Sequence, residues 1–112
     1  MTEVASAGSI RVELGLEGTV VSLVGEIDAG LREEASESMS VALAADGPVL
    51  VDASRATFVD SSGIAFVMQL HRAGSESGIE VSLRDPNRVL RFGLEIVGYS
   101  DRLRDADADL VG

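Results

Sequence analysis

The sequence contains no cysteine and only one histidine, His71. Without cysteine the chain can form neither a disulfide framework nor a thiolate metal site, and one histidine cannot build a histidine-rich metal centre. Zinc chemistry is therefore effectively excluded. The sequence also has no Gly-x-x-x-x-Gly-Lys phosphate-binding loop, so we expect neither a metal site nor a cofactor.

Long apolar segments and basic charge are lacking as well. No apolar run approaches the roughly 18 residues that a membrane span needs, and the N-terminus lacks the basic-then-apolar pattern of a signal peptide. We therefore predict a cytoplasmic protein without membrane contact. Nineteen acidic residues against nine basic ones give a net charge of −10, which disfavours direct nucleic acid binding. This charge serves solubility or a basic partner, and by itself it names no partner.

The chain of 112 residues is long enough to bury one continuous core and too short for two domains. Residues 1–8 are small and polar without a sustained period, so we predict a lead-in there and one domain over residues 9–112. Apolar and polar residues then alternate from Ile10 to Leu16, as expected of a half-buried strand. A second strand follows from Thr19, and Glu17-Gly18 predicts a tight antiparallel hairpin between the two.

Helical and strand patterns alternate through the rest of the chain. Asp28 is a candidate N-cap for a helix with apolar residues at Leu31, Ala35, Met39, Ala42 and Leu43. The apolar run Val49-Leu50-Val51 is typical of a central strand, and residues 53–60 are predicted to be a loop. A second helix is predicted from Ser61 to about Ala73, closed by Gly74.

A further strand is predicted over Ile79 to Leu83, where apolar and polar residues again alternate. Asp85-Pro86 should open a third helix that ends near Gly98. Tyr99 to Leu103 is predicted as a short strand, and Arg104 to Asp109 as a marginal terminal helix. The whole pattern predicts an α/β domain with a mixed sheet, an antiparallel first hairpin and helices mainly on one face.

Three segments in order resemble the signature of STAS domains. The first is Gly25-Glu26-Ile27-Asp28, and the second is Phe58 to Ile64, which contains Asp60-Ser61-Ser62-Gly63. The third runs from Gly78 into residues 86–94. Asp-Ser-Ser-Gly alone is a weak match, whereas three motifs at suitable separations are a strong one. The resemblance covers roughly residues 10–103.

This resemblance implies a single STAS domain and a role as an anti-sigma factor antagonist. In such proteins the unphosphorylated form binds an anti-sigma factor that has serine kinase activity, and so frees a sigma factor. The anti-sigma factor phosphorylates the first serine of the motif, here Ser61, which ends the interaction, and a phosphatase is the expected second partner. Any ATP used is the partner's. The resemblance also favours a place for Glu26 and Asp28 on the contact surface.

The residues around Ser61 allow both a switch and a simpler interpretation. A phosphate adds about 1.5 to 2 negative charges, which the N-terminal end of a helix tolerates but a docked partner would oppose. Asp60, Ser61 and Ser62 could instead merely cap the helix. Gly63 is expected to let the helix start close to the sheet, and it could also expose backbone to a partner, since both roles are compatible. Phe66 and Leu70 point away from the main apolar face, so a docking patch and a wide core face are both open.

Other functions are less well supported by the residues. A catalytic dyad of Ser61 and His71 is untenable, because ten residues along a helix separate them by about 15 Å. Glu26, Asp28 and Asp60 could in principle hold Mg²⁺, but carboxylates at strand ends are common on acidic surfaces. We therefore predict a binding and regulatory module, not an enzyme. The closest rival is a STAS subunit outside sigma control, in a stressosome, a transporter or a lipid-export accessory.

Overall fold

The sheet of this protein has five strands in the order β1-β2-β3-β4-β5 within residues 7–106, which the computed structural model describes. The strands are β1 (Ser9–Leu14), β2 (Thr19–Ile27), β3 (Val49–Val59), β4 (Val81–Arg84) and β5 (Arg104–Asp105). β1 pairs antiparallel with β2, and every other neighbouring pair is parallel. The predicted mixed sheet with an antiparallel first hairpin is confirmed.

The helices are α1 (Arg32–Ala44), α2 (Ser61–Glu76) and α3 (Arg91–Ile96), with 3₁₀ turns at Ala29–Leu31 and Ser100–Arg102. In the central strands the buried residues occupy alternate positions, as in Val21, Val51 and Leu83, which pair across the sheet. The positions between them are half-buried and mostly polar: Ser22, Asp52, Ser82 and Arg84. Because side chains alternate between the two faces of a strand, the helices cover one face, as predicted.

Among the described residues, no helix is both long and apolar enough to cross a membrane. Residues 1–6 of the predicted lead-in lie outside the described part of the chain. Gly8, its last residue, lies against the Val24 and Glu26 carbonyl groups of β2. The backbone is therefore already in contact with the sheet one residue before β1 begins.

The hairpin between β1 and β2 forms at the position that Glu17-Gly18 in the sequence indicated. Gly15 and Gly18 exchange backbone hydrogen bonds of 2.8 and 3.4 Å, and Gly18 has a φ of +148°, which favours glycine. The apolar side of β1 is less buried than its alternation predicted. Ile10 is buried, but Leu14 is 64% exposed and Leu16 is fully exposed.

β3 is longer than expected. Residues 53–60 were predicted to be a loop, which is wrong, because the strand continues to Val59. Its second half pairs with β2 through two irregularities in register, between Ser22 and Val24 and between Gly25 and Glu26. Pairing with β2 outweighs the weak strand preference of segments such as Ala53-Ser54.

α2 also extends further along the chain than the sequence predicted. Gly74 was predicted to end the helix, but it is a buried position inside it, and the helix ends at Glu76. A Cβ atom on Gly74 would lie 2.7 Å from Val81 Cγ2 and 3.2 Å from the Ile79 carbonyl oxygen. Gly74 therefore allows close packing of α2 on the chain that enters β4.

The C-terminal elements differ from their predictions. The Asp85 carboxylate accepts hydrogen bonds from the N–H groups of Val89, Leu90 and Arg91, so it does act as a cap, but α3 begins only at Arg91. The segment Tyr99 to Leu103 contains a 3₁₀ turn and is not a strand. Arg104 and Asp105 form β5 where a terminal helix was predicted, and residues 107–109 of that prediction lie outside the described residues.

We expect Gly74→Ala to destabilise the fold, although alanine is normally better than glycine inside a helix by about 1 kcal/mol. The added methyl group would overlap Val81, whose displacement against a packed sheet costs about 1–3 kcal/mol. Urea denaturation of both proteins measures the difference. Ser75→Ala, at the exposed neighbouring position, is the matched control and should change stability little. A more stable Gly74→Ala variant would contradict the close packing.

Candidate functional site

Two aspartates lie together where β2 and β3 end. Ile27 pairs with Val59, and the next backbone group, the Asp60 N–H, donates a 3.0 Å hydrogen bond to the Ile27 carbonyl oxygen. Asp28 and Asp60 therefore follow directly after neighbouring parallel strands, at one edge of the sheet. Each begins a helical segment: Asp28 the 3₁₀ turn before α1, and Asp60 the helix α2.

Asp60 is the N-cap of α2. Its Oδ1 accepts hydrogen bonds from the Ser62 N–H (2.9 Å), the Ser62 hydroxyl (2.7 Å) and the Gly63 N–H (3.2 Å). The Ser62 hydroxyl does most to hold the pKa of Asp60 below its usual range; partial burial acts in the opposite direction, and the two N–H groups add to the lowering. The predicted cap is thus present, and its carboxylate is ionised at neutral pH.

Ser61 and Ser62 differ although they are adjacent. The Ser62 hydroxyl is half-buried and bonded to Asp60. Ser61 is exposed, and its hydroxyl forms no hydrogen bond with any residue in the range 7–106. An external reactant can therefore reach the Ser61 hydroxyl without breaking an existing contact, whereas the Ser62 hydroxyl would first have to leave the cap.

Asp28 caps a shorter segment than predicted. Its Oδ1 accepts a 2.9 Å hydrogen bond from the Gly30 N–H, which begins the 3₁₀ turn Ala29–Leu31. α1 starts only afterwards, at Arg32. The cap was correctly located, but it belongs to the turn and not to the α-helix.

A groove of about 410 Å³ lies between α1 and α2 beside these caps. The groove is lined by Asp28, Ser62 and Phe66. The other residues that line it are Ile10, Ala29, Leu31, Arg32, Ala35, Ser36, Met39, Ala65 and Gln69. The sequence did not reveal this groove, although the spacing of Ser62, Ala65 and Gln69 places small and polar residues on one side of a helix.

Three predicted contact residues are not exposed. Phe66 is only 6% exposed and Leu70 is fully buried, so the prediction that both form an exposed docking patch is wrong, although Phe66 still lines the groove. The apolar face of α2 is wide, because the sheet lies under one side of the helix and α1 flanks another. Gly63 is buried too, and a Cβ atom there would overlap Val59 and approach Ile27 Cγ2 to 3.1 Å. Its role is close packing, not exposure of backbone to a partner.

Glu26 lies apart from the groove. It pairs with Phe58 in the sheet, both side chains are exposed, and neither lines the groove. The residues described by the structure contain no group of three or more His, Cys, Asp or Glu side chains placed to hold a metal ion. Glu26, Asp28 and Asp60 are therefore not brought together as a group of three carboxylates in this part of the chain.

His71 makes a contact that the sequence did not predict. Its Nδ1 lies 2.7 Å from the Tyr99 hydroxyl, and the two rings meet edge to face. Burial, followed by the nearby Arg102 guanidinium, lowers the pKa of His71 below its usual value. Since these residues are 28 positions apart, no local pattern could have shown the pair.

We expect Asp60→Ala to lower the free energy of unfolding by about 1 kcal/mol at pH 7, because two N–H groups at the start of α2 lose their acceptor. The pKa of Asp60 is depressed in the folded protein, so its charge stabilises the fold above the pKa of the unfolded chain, near 4. This stabilisation is lost as the pH falls through the lower folded pKa. Urea unfolding of both proteins between pH 7 and pH 2 measures the difference.

Asp60→Asn is the matched control, because asparagine also caps helices well. It should keep most of the stability at pH 7 and show a weaker dependence on acid than the wild type. A stability difference between wild type and Asp60→Ala that stays constant down to pH 2 would contradict the role of the ionised carboxylate.

Comparisons with known proteins agree with the fold described above. Several solved structures have a similar fold. An anti-sigma factor antagonist from Mycobacterium paratuberculosis is 21% identical, with 95% of this chain and 93% of that chain covered and a TM-score of 0.71. The phosphorylated form of SpoIIAA, a Bacillus cell fate determinant, is 24% identical, with 91% and 95% covered and a TM-score of 0.69.

The protein Mglu is 22% identical over 71% of this chain, with a TM-score of 0.63, and this chain spans only 20% of its length. At these identities the likeness shows the fold alone. No curated protein matches the sequence. The family model described as "Mlab, STAS domain" matches residues 10–109, which is most of the chain and includes both aspartate caps and Ser61. The chain therefore belongs to the STAS domain family.

Proposed function

We propose that this STAS domain is a phosphorylation-controlled partner-switching protein and not an enzyme. In its unphosphorylated form it binds an anti-sigma factor, and a sigma factor is released; phosphorylation of Ser61 by that anti-sigma factor ends the binding. The observation that carries the proposal is the exposed Ser61 hydroxyl, free of hydrogen bonds within residues 7–106, at the start of α2. The cytoplasmic location predicted from the sequence belongs to the same proposal.

The position of Ser61 suits a kinase substrate. Its hydroxyl oxygen would attack the γ-phosphorus of ATP held by the partner, the hydroxyl proton would pass to the partner's base, and ADP would leave. Nothing in the cap has to open for this reaction, because Asp60 holds Ser62 and Gly63 and not Ser61. A phosphatase acting on the same exposed side chain would return the protein to its binding form.

The phosphate would act on the interface more than on the fold. The first turn of a helix carries N–H groups and a positive dipole end, both of which favour an anion. A partner fitted around a neutral hydroxyl would instead have to enclose a dianion next to the ionised Asp60, so repulsion and desolvation would oppose docking. The switch thus needs no rearrangement of the sheet.

The contact surface that we propose lies around the groove between α1 and α2. Ser61 stands beside it, and Asp28, Asp60 and Ser62 form its cap end, while Ala65 and Gln69 extend it along the exposed side of α2. Phe66 forms part of the floor of the groove, and Leu70 lies below the surface. Glu26 would take part only if the partner also reaches the sheet beside Phe58.

One finding is also consistent with a second function. The matching family model is described as "Mlab, STAS domain" and names no anti-sigma factor. A STAS subunit outside sigma control, such as a stressosome component or an accessory of a transporter or lipid-export system, would use the same fold. Binding to an anti-sigma kinase separates the two functions, because only the first requires it.

We expect a cognate anti-sigma kinase with ATP to phosphorylate Ser61 and leave Ser62 unmodified. The kinase encoded beside the gene is the natural reagent, and peptide mapping by mass spectrometry identifies the modified residue. Ser61→Ala should abolish incorporation of phosphate, whereas Ser62→Ala should retain it. Phosphate found only on Ser62, Ser54 or Thr57 would overturn the assignment of Ser61.

We also expect Ser61→Asp to lose about a hundredfold or more in affinity for the anti-sigma factor while the domain stays folded. An unpaired charge buried in an interface commonly costs several kcal/mol, whereas the helix start tolerates it. Ser61→Ala should bind like the wild type and resist release by ATP. Calorimetric titration measures both affinities, and circular dichroism melting checks the fold.

Ser75→Asp is the matched control, since it adds the same charge to the exposed far end of α2. It should bind like the wild type if the effect of Ser61→Asp is local. Equal binding by Ser61→Asp and the wild type would disprove the electrostatic switch. A wild-type domain that binds no anti-sigma kinase would favour the function outside sigma control.

A further inference from the structure

β1 is an edge strand whose outer side has no neighbour among residues 7–106. An edge strand presents backbone N–H and C=O groups to any strand of suitable register, and proteins usually protect such edges. β1 carries one charge of each sign, Arg11 and Glu13, on the helix-free face of the sheet, where they lie opposite Ser22 and Val20 of β2. Within the described range neither side chain forms an ion pair.

The hairpin fixes which backbone groups face outward. Gly15 and Gly18 bond to each other, and hydrogen-bonded and non-bonded pairs alternate along an antiparallel ladder. Glu13 and Arg11 therefore bond to β2, whereas the N–H and C=O groups of Ile10, Val12 and Leu14 point away from it. The Thr19 N–H agrees with this alternation, because it donates to Pro48 on the other side and not to Leu14.

The outward-pointing backbone groups of β1 can pair with the same groups of a second copy of β1. In an antiparallel pair centred on Val12, Ile10 faces Leu14 of the other copy, so residues with outward-pointing groups meet one another. The same register places Arg11 opposite Glu13 of the second copy, and the reverse contact repeats by symmetry. Shifting the centre to Arg11 or to Glu13 would instead place like charges opposite each other, which is unfavourable in a sheet.

We propose that the chain associates with a second copy of itself through β1, as a two-fold dimer with one continuous sheet centred on Val12. Such an interface is self-complementary, as a two-fold axis requires. Opposite charges select the register, and the backbone groups of Ile10, Val12 and Leu14 supply the hydrogen bonds. The charged edge then protects against other registers and permits this one.

The apolar side of β1 fits the same arrangement. Leu14 is 64% exposed in the isolated chain and lies on the helix-covered face, since its neighbour on β2, Thr19, is buried. A groove runs along this edge, between Ile10 and Val12 of β1 and Ser38 and Val41 of α1. In the dimer, Leu14 of the second copy lies opposite Ile10 at this groove and loses contact with water.

A charge exchange on the full chain tests the dimer. Sedimentation over a series of protein concentrations should show weak self-association of the wild type. Arg11→Glu or Glu13→Arg alone places like charges opposite each other twice, and should weaken association by about tenfold or more. The double variant R11E/E13R restores both pairs with the same net charge as the wild type, and should restore association. Glu76→Arg, on the exposed end of α2, controls for net charge and should not weaken association.

Amide hydrogen exchange, followed by NMR, identifies the interface itself. Protection of the Ile10, Val12 and Leu14 amides should rise with protein concentration, while the Arg11 and Glu13 amides, which already bond to β2, should stay constant. A protein that sediments as a monomer with exchange independent of concentration would overturn the proposal. So would a double variant that associates as weakly as the single ones.

Discussion

Close contact between α2 and the sheet is the constraint on which the rest of the structure depends. Two glycines permit it: Gly63 against Val59 and Ile27 at the start of the helix, and Gly74 against Val81 and Ile79 near its end. They are about three helical turns apart and so lie on one side of α2. A side chain at either position would push the helix away from the strands and open the core between them.

This contact positions the residues of the candidate site. Because α2 begins directly at the ends of β2 and β3, Asp60 lies within reach of both the Ile27 carbonyl group and the first turn of the helix. Its carboxylate then holds Ser62 and leaves Ser61 exposed. The same approach buries Phe66 and Leu70, which leaves the caps and the groove beside α1 as the contact surface that we propose.

The two ends of the proposed contact surface differ in the hydrogen bonds that hold them. At the cap, Asp60 accepts hydrogen bonds from the Ser62 hydroxyl and the Ser62 and Gly63 N–H groups, and its own N–H donates to the Ile27 carbonyl oxygen. The groove wall contributed by α1 begins with a short 3₁₀ turn held by Asp28. Added charge at Ser61 would therefore act on the electrostatic potential beside a cap that is already hydrogen-bonded.

Local structure could be predicted wherever it depends on residues only a few positions apart in the chain. The alternation of β1, the turn at Gly18, the caps at Asp28 and Asp60 and the helical period after Ser61 each depend on neighbouring residues, and each appears in the structure. The fold class followed from the order of these elements, since alternating strands and helices favour parallel pairing with covering helices. Ser61 was identified because three sequence motifs in order resembled a family, not from its chemistry alone.

The features that only the tertiary structure decided depend on contacts between residues far apart in the chain. β3 continues to Val59 because β2 offers a pairing edge, and Gly74 lies inside α2 as a packed position, since a Cβ atom there would overlap Val81 and crowd Ile79. Whether Phe66 faces a partner or the core, and whether His71 has a contact such as Tyr99, likewise required the packed arrangement. By itself the sequence determined the order of strands and helices as far as β4, the caps and the candidate serine, because hydrogen bonds and side-chain period act locally. Strand ends, helix ends and burial were decided by packing, since these contacts join segments that the sequence does not place side by side.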